Sequence, residues 1–155
     1  MTNEVVVTDL TEDLFVVVKE KQQEGVCILQ IMDNETPKQT VKKIREYVDS
    51  LLSKKHSEDE LEEYALQLGA VWGDMVNREY GWQWKYIDFG NEEKGVCIVS
   101  PKTYYCCSPF SFLTKILLGE NEGLDGKNDN TVMLLFNMID GIENKKPLHN
   151  YQIIS

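Results

Sequence analysis

The stretch SEDELEEYALQLGAVWGDMVNREYG, residues 57–81, decides how the rest of the chain is read. Ser57 offers a hydroxyl that can cap a helix, and Glu60, three residues on, offers the reciprocating carboxylate of a capping box. Leu61, Tyr64, Ala65, Leu68, Val71, Trp72, Met75 and Val76 then recur at spacings of three and four, until Gly81 supplies a left-handed stop. This pattern predicts a helix over 58–80. Gly69 and Gly73 lie four apart on one face of it, and each costs about 1 kcal/mol relative to Ala in a helix interior. The pair therefore predicts an element that approaches closely on that side.

Upstream, Thr36-Pro37 places a capping hydroxyl before a proline at the first helical position, where a missing N–H costs nothing. Val41, Ile44, Tyr47, Val48, Leu51 and Leu52 follow as an apolar stripe, predicting a helix over 37–53 joined by Lys54–His56 to the next. So short a link makes the two helices antiparallel neighbours. Downstream of Gly81 the period falls to two. Trp82, Trp84 and Tyr86 alternate with Gln83, Lys85 and Ile87. Gly95–Val99 and Thr103–Cys107 follow across turns at Phe89–Glu92 and Pro101-Lys102, an antiparallel meander over about 82–107. Pro109 opens a helix at 110–118, ended by Gly119. A last helical pattern runs over 131–142, with Asp129 or Asn130 as its cap and Val132, Leu135, Phe136 and Ile139 on one side. The Gly-, Asn- and Asp-rich loop 119–130 reads as exposed and mobile. Residues 1–33 stay ambiguous: Val5–Val7, Phe15–Val18 and Val26–Leu29 suit strands, while Leu10, Leu14, Val17 and Val18 equally suit a helix capped near Thr8 or Thr11. The expectation is a single α+β domain over 1–155, its meander packed against helices.

The composition fits that expectation: 155 residues, 42% hydrophobic and 27% charged, are enough for one core without a metal or disulfide staple. No stretch approaches the roughly 20 apolar residues of a membrane span, and MTNEVVVTDL lacks the basic and apolar parts of a secretion signal, so a cytoplasmic location is expected. The net charge is −10, with 3 basic and 8 acidic groups in residues 1–40 alone. Direct binding to nucleic acid or to an anionic membrane is disfavoured, because the basic doublets Lys42-Lys43, Lys54-Lys55 and Lys145-Lys146 are diluted by acids.

The usual catalytic signatures do not assemble. Cys27, Cys97, Cys106 and Cys107 form no CxxC pair, and His56 and His149 are too few and too scattered to complete a zinc site. Reduced, inert thiols are expected, with one of the adjacent pair Cys106-Cys107 inside and the other outside. His56, before a helix cap, and His149, in a polar tail, read as exposed or locally hydrogen-bonded. A nucleophile elbow, a phosphate-binding loop and a complete calcium loop are all missing, so no cofactor or metal is expected.

What remains is charge and aromatics. Glu58, Asp59, Glu60, Glu62 and Glu63 place five acids in seven residues, with Glu58/Glu62 and Asp59/Glu63 as like-charge pairs four apart. A helix N-terminus favours acids, which is one reading; the other is a surface that steers a basic protein partner. Trp82 and Trp84 share a strand face and suit either core packing against Gly69 and Gly73 or, if that face is open, anchoring of an interface. Glu58, Asp59, Glu62, Glu63, Trp82 and Trp84 are thus the candidate partner-binding residues.

The segments Leu68-Gly69-Ala70-Val71-Trp72-Gly73-Asp74, Tyr80-Gly81-Trp82-Gln83-Trp84, Val96–Pro101 and Ser108-Pro109-Phe110 with Lys115 together resemble a bacterial domain family of unknown function. Its members share a leucine-glycine-alanine helix, a Gly-Trp-x-Trp strand entry and a proline-led helix after the meander. The similarity covers about residues 57–120 and carries over no catalytic residue. A small acidic chain of this type is also similar to immunity proteins that neutralise bacterial toxins, including those of contact-dependent growth inhibition systems. That similarity implies a monomer binding a cognate toxin domain one-to-one, often a basic nuclease. Two other readings stand beside it: a small-molecule sensor or small enzyme with an aromatic-lined pocket between the 57–81 helix and the sheet, and a structural subunit of a larger assembly.

Overall fold

The computed structural model describes residues 4–90, 92–119, 130–142 and 145–154. Among them the chain forms β1 (Val6–Thr8), α1 (Glu12–Leu29), α2 (Pro37–Leu52), α3 (Glu58–Tyr80), β2 (Gln83–Asp88), β3 (Lys94–Val99), β4 (Tyr105–Cys107), α4 (Pro109–Leu117), α5 (Val132–Ile142) and β5 (Gln152–Ile153). This is the expected α+β class. The strands lie in the order β1-β2-β3-β4-β5, antiparallel except for β4 and β5, which run parallel. The meander is thus as read from the sequence, and β1 and β5 add an edge strand on either side. The loop expected to be mobile falls largely outside the described residues, as does Asp129.

Residues 4–33 contain one short strand and a helix of 18 residues capped by Thr11, whose hydroxyl accepts from the Leu14 N–H at 3.3 Å. The valine-rich runs Phe15–Val18 and Val26–Leu29 are therefore helical. α2 begins with a complete capping box, Thr36 accepting from the Gln39 N–H at 3.2 Å and Gln39 accepting from the Thr36 N–H at 2.9 Å. In α3 only half of the expected box forms. Ser57 accepts from the Glu60 N–H at 3.2 Å, but the Glu60 carboxylate turns to His56 Nδ1, 3.2 Å away. A neighbouring imidazole outcompetes the cap backbone for that carboxylate. Gly81 stops α3 in the left-handed conformation, at φ 77°.

α3 is the central element. Its Val41, Ile44, Val48 and Leu51 neighbours on α2 are buried, with Tyr47 edge-on to Tyr64 at 5.8 Å. Trp72, fully buried, packs on Phe112 of α4 at 4.9 Å and donates its indole N–H to the Val132 carbonyl at 3.0 Å. One end of α3 repeats the device: the Tyr80 hydroxyl donates to the Phe136 carbonyl at 2.8 Å. α5 is thereby tied to α3 through its own backbone. Asn130 does not cap α5; its amide reaches α2 instead, donating to the Arg45 carbonyl and Asp49 Oδ1, each at 2.8 Å.

The glycine face receives its expected neighbours. A Cβ at Gly69 would lie 2.9 Å from the Pro109 carbonyl oxygen, and one at Gly73 would lie 2.6 Å from the Trp84 ring and 2.9 Å from the Pro109 ring. The start of α4 and the β2 indole therefore occupy the space two missing side chains leave. Gly25, on α1, crosses α3 closer still, 2.5 Å from a built Cβ to the Gln67 carbonyl oxygen.

The sheet is buried on both faces. Trp84, Ile98, Tyr105 and Cys107 join the core against the helices, while Ile87, Cys97, Val99 and Cys106 form a second cluster covered by Val5, Val7, Phe89 and Tyr151. The expectation that one of Cys106 and Cys107 points outward is thereby corrected. Both are at 0% exposure, because alternation sends them to two different cores.

The crossing at Gly25 yields a stability test. Gly25→Ala gains up to about 1 kcal/mol of helix propensity but must displace a backbone carbonyl, so urea unfolding is expected to show a net loss of about 1–3 kcal/mol. Gly141→Ala on α5, where a Cβ meets nothing within 4 Å, should be neutral or slightly stabilising.

Candidate functional site

The acids of α3 sit at its exposed N-terminal end. Glu58, Asp59, Glu60, Glu62 and Glu63 are all exposed. The first three lie in the opening turn, where unpaired backbone N–H groups favour negative charge. They do not share one fate. Glu60 is bound to His56. Glu63 takes an ion pair from Lys21 of α1 at 2.5 Å, and Lys21 also reaches Glu24 at 3.3 Å. Gln67 donates to Glu24 at 3.1 Å, closing a network across the two helices. That network raises the Lys21 ammonium above its ordinary value, chiefly through Glu63, and lowers the Glu24 carboxyl, chiefly through Gln67 and then Lys21. Glu58, Asp59 and Glu62 carry no ion pair among the described residues.

The acidic surface is consequently broader than the α3 run alone. Lys21 and Gln67 bring Glu24 alongside it, and Glu20, one helical turn before Glu24, borders the same shallow depression with Gln67. An exposed apolar group adjoins these acids: Leu66 follows Glu62 by one turn on α3. None of the α1 residues was selected from the sequence. The only signal was the four-residue spacing of Glu20 and Glu24, which has meaning only once the segment is known to be helical.

Trp82 and Trp84 lie elsewhere. α3 is 23 residues long, so its two ends stand roughly 35 Å apart at 1.5 Å per residue, with the acids at one end and the tryptophans near the other. Trp82 is 2% exposed and belongs to the core, so no partner touches it without displacing it. Trp84 is half-buried over Gly73 and stacked on Phe110 at 5.7 Å. Asn77 of α3 holds both, its amide oriented to donate to the Trp82 carbonyl at 3.1 Å and accept from the Trp84 indole at 3.2 Å. Tryptophans and acids do not make one surface; Phe15, Asn77, Trp82 and Trp84 border a shallow depression of about 410 Å³ of their own.

His56 is locally hydrogen-bonded and packs edge-on to Tyr64, 6.2 Å between ring centres, while His149 is exposed. Cys27 is exposed; Cys97, Cys106 and Cys107 are buried. Burial pushes the Cys97 thiol up to about 11, and burial, then the neighbouring Cys97 and Cys107, raise Cys106. Neither is suited to attack as a thiolate near neutral pH. Among the described residues no group of three or more His, Cys, Asp or Glu is arranged to hold a metal ion, and no helix is long and apolar enough to cross a membrane. Compared with protein-family models, curated proteins and solved structures, the chain matches none.

The thiols carry a pH prediction. The folded state holds Cys97 neutral, with a pKa above the ordinary 9.0, so its contribution to stability is complete below pH 9 and is lost as pH rises through about 11. The urea midpoint should fall over that interval, and less so in Cys97→Ala. At pH 8 a thiol reagent should modify Cys27 rapidly and the buried cysteines only on unfolding, the fast phase vanishing in Cys27→Ser.

Proposed function

We propose that this chain is a non-catalytic binding protein of the immunity type, which engages a basic toxin domain through the acidic face formed by the first two turns of α3 and the adjoining acids of α1. The observation that carries this is the presence of Glu58, Asp59 and Glu62, exposed and without ion pairs among the described residues, on a chain of net charge −10. Exposed acids of one sign raise the local concentration of a cationic partner and speed productive encounter. Leu66, one turn after Glu62, would supply apolar contact beside the charges, where water can be excluded on docking.

The geometry favours a division of labour. Glu63 is held by Lys21 and orders the α1–α3 junction, whereas Glu58, Asp59 and Glu62 are left to meet a partner's Lys and Arg. Trp84 and Trp82 contribute through the rigidity of the scaffold. The complex is one-to-one, and the class of partner is the one implied by the similarity in type to toxin-neutralising proteins.

The test is growth rescue. The C-terminal domain encoded immediately upstream is expressed alone and with this chain. Arrest relieved only by co-expression is the expected result; no arrest, or arrest without relief, overturns the proposal. Replacing Glu58, Asp59 and Glu62 with Gln, Asn and Gln should slow association by about tenfold at low salt, with the difference shrinking as salt rises. An unchanged rate and salt dependence would remove these residues from the interface.

A further inference from the structure

The outer side of α2 carries its charges in an order that helix stability does not explain. Lys38, Lys42, Glu46 and Asp49 follow one another at spacings of four, four and three, so they form a single exposed row. The cations of this row lie toward the N-terminus and the acids toward the C-terminus. A helix macrodipole favours the reverse, and α2 has no acid in its first turn and no base in its last. Nor do the four neutralise one another. Lys42 and Glu46 are four apart, in the weaker order of cation before acid, and no ion pair forms at any of the four among the described residues. Asp49 accepts from the Asn130 amide at 2.8 Å.

α5 lies alongside. Tyr47 meets Tyr64 across the short link between α2 and α3, so these two helices run antiparallel. α5 runs with α3, since Trp72 reaches Val132 and Tyr80 reaches Phe136. It therefore runs against α2, starting where Asn130 contacts Arg45 and Asp49 and drawing level with the basic half of α2 at Met138, about 12 Å further on. Eight of the eleven residues of α5 are apolar, and a helix so apolar all round is ordinarily buried. Leu134 and Met138, one turn apart, are nevertheless 58% and 48% exposed. A charged row and an apolar row thus stand uncovered on neighbouring helices.

We propose that this face pairs with the same face of a second copy, α2 lying antiparallel to α2 about a two-fold axis that passes between residues 42 and 46. Reversed, a row of two cations and two acids becomes two acids and two cations. Lys42 then meets Glu46 of the second copy and Lys38 meets Asp49 of the second copy, and symmetry forms each pair twice. An isologous contact requires this self-complementarity. A uniformly charged occupant does not satisfy it: an acidic helix or an anionic lipid surface that suits Lys38 and Lys42 sets like charge against Glu46 and Asp49, and a basic one does the opposite. Leu134 and Met138 meet the same apolar row across the axis and supply contact from which water is excluded. With α2 about 24 Å long, the face is of the size of the smaller, reversible interfaces. It uses none of the acids at the start of α3, so it is separate from the proposed docking face.

The experiment is sedimentation velocity on the whole chain from about 1 μM to 1 mM. A monomer–dimer equilibrium that weakens as salt rises is expected. Lys42→Glu and Glu46→Lys, each alone, bring like charges together twice and should weaken the dimer by about tenfold or more. Mixed in equal amounts, the two variants should dimerise again, because both contacts between them then join opposite charges. Leu134→Ser should weaken the dimer with all charges in place. Every substituted side chain is exposed, and far-UV circular dichroism verifies that each variant is folded. A chain that is monomeric throughout, a dimer that the single reversals leave intact, or a mixture no more associated than its components overturns the proposal.

Discussion

Two bare positions on one helix carry the architecture. α3 lacks side chains at Gly69 and Gly73, and the Pro109 backbone and the Trp84 ring come down into that space until a single added carbon would collide with them. Each glycine weakens the helix by about 1 kcal/mol. That cost is offset because the approach buries part of the Trp84 indole and seats α4 and the sheet on α3. The remaining sides of the helix are taken by α2, α1 and α5. Trp72 and Tyr80 hold α5 by donating to carbonyls of its backbone, so the buried indole is satisfied where an unpaired one would be costly.

This arrangement explains which parts of the fold could be read from the sequence. α2, α3 and α4 were legible because each has an N-terminal signal and an apolar stripe that truly faces the core: Val41, Ile44, Val48 and Leu51 are all buried. α1 was illegible because its pattern is inverted. The residues it buries include Gln22 and Gly25, while Phe15, Val16 and Val17 stand about half exposed. Periodicity reports a helix only when hydrophobicity and burial agree, and here a close crossing selected a glycine. β5 escaped for another reason: two exposed residues, Gln152 and Ile153, are in the sheet through backbone hydrogen bonds to β4, which leave no trace in side-chain pattern. The Cys106-Cys107 pair shows the converse limit. Alternation correctly sends neighbours to opposite faces, but the sequence does not say that both faces are covered.

The candidate sites divide in the same way. The acids of α3 were legible as a cluster, yet the sequence could not separate Glu63, neutralised across the crossing by Lys21, from Glu58, Asp59 and Glu62. That Trp82 and Trp84 lie toward the opposite end of the helix was legible, since the acids open the 58–80 stretch and the tryptophans follow Gly81. The α1 contributions to the acidic face depend on a helix whose existence the sequence left open.

Helix electrostatics accounts for part of the acidic cluster and marks what it leaves over. The favourable field of a helix N-terminus is confined to the first turn, which covers Glu58, Asp59 and Glu60, and the His56 contact secures the last of these. Glu63, one turn on, is offset by Lys21. Glu62 has neither benefit. It stands beyond the first turn, four residues from Glu58, in a like-charge pairing that costs a few tenths of a kcal/mol, and no ion pair among the described residues compensates it. A charge that local stability does not explain, placed beside the exposed Leu66, is the feature that supports the proposed docking face.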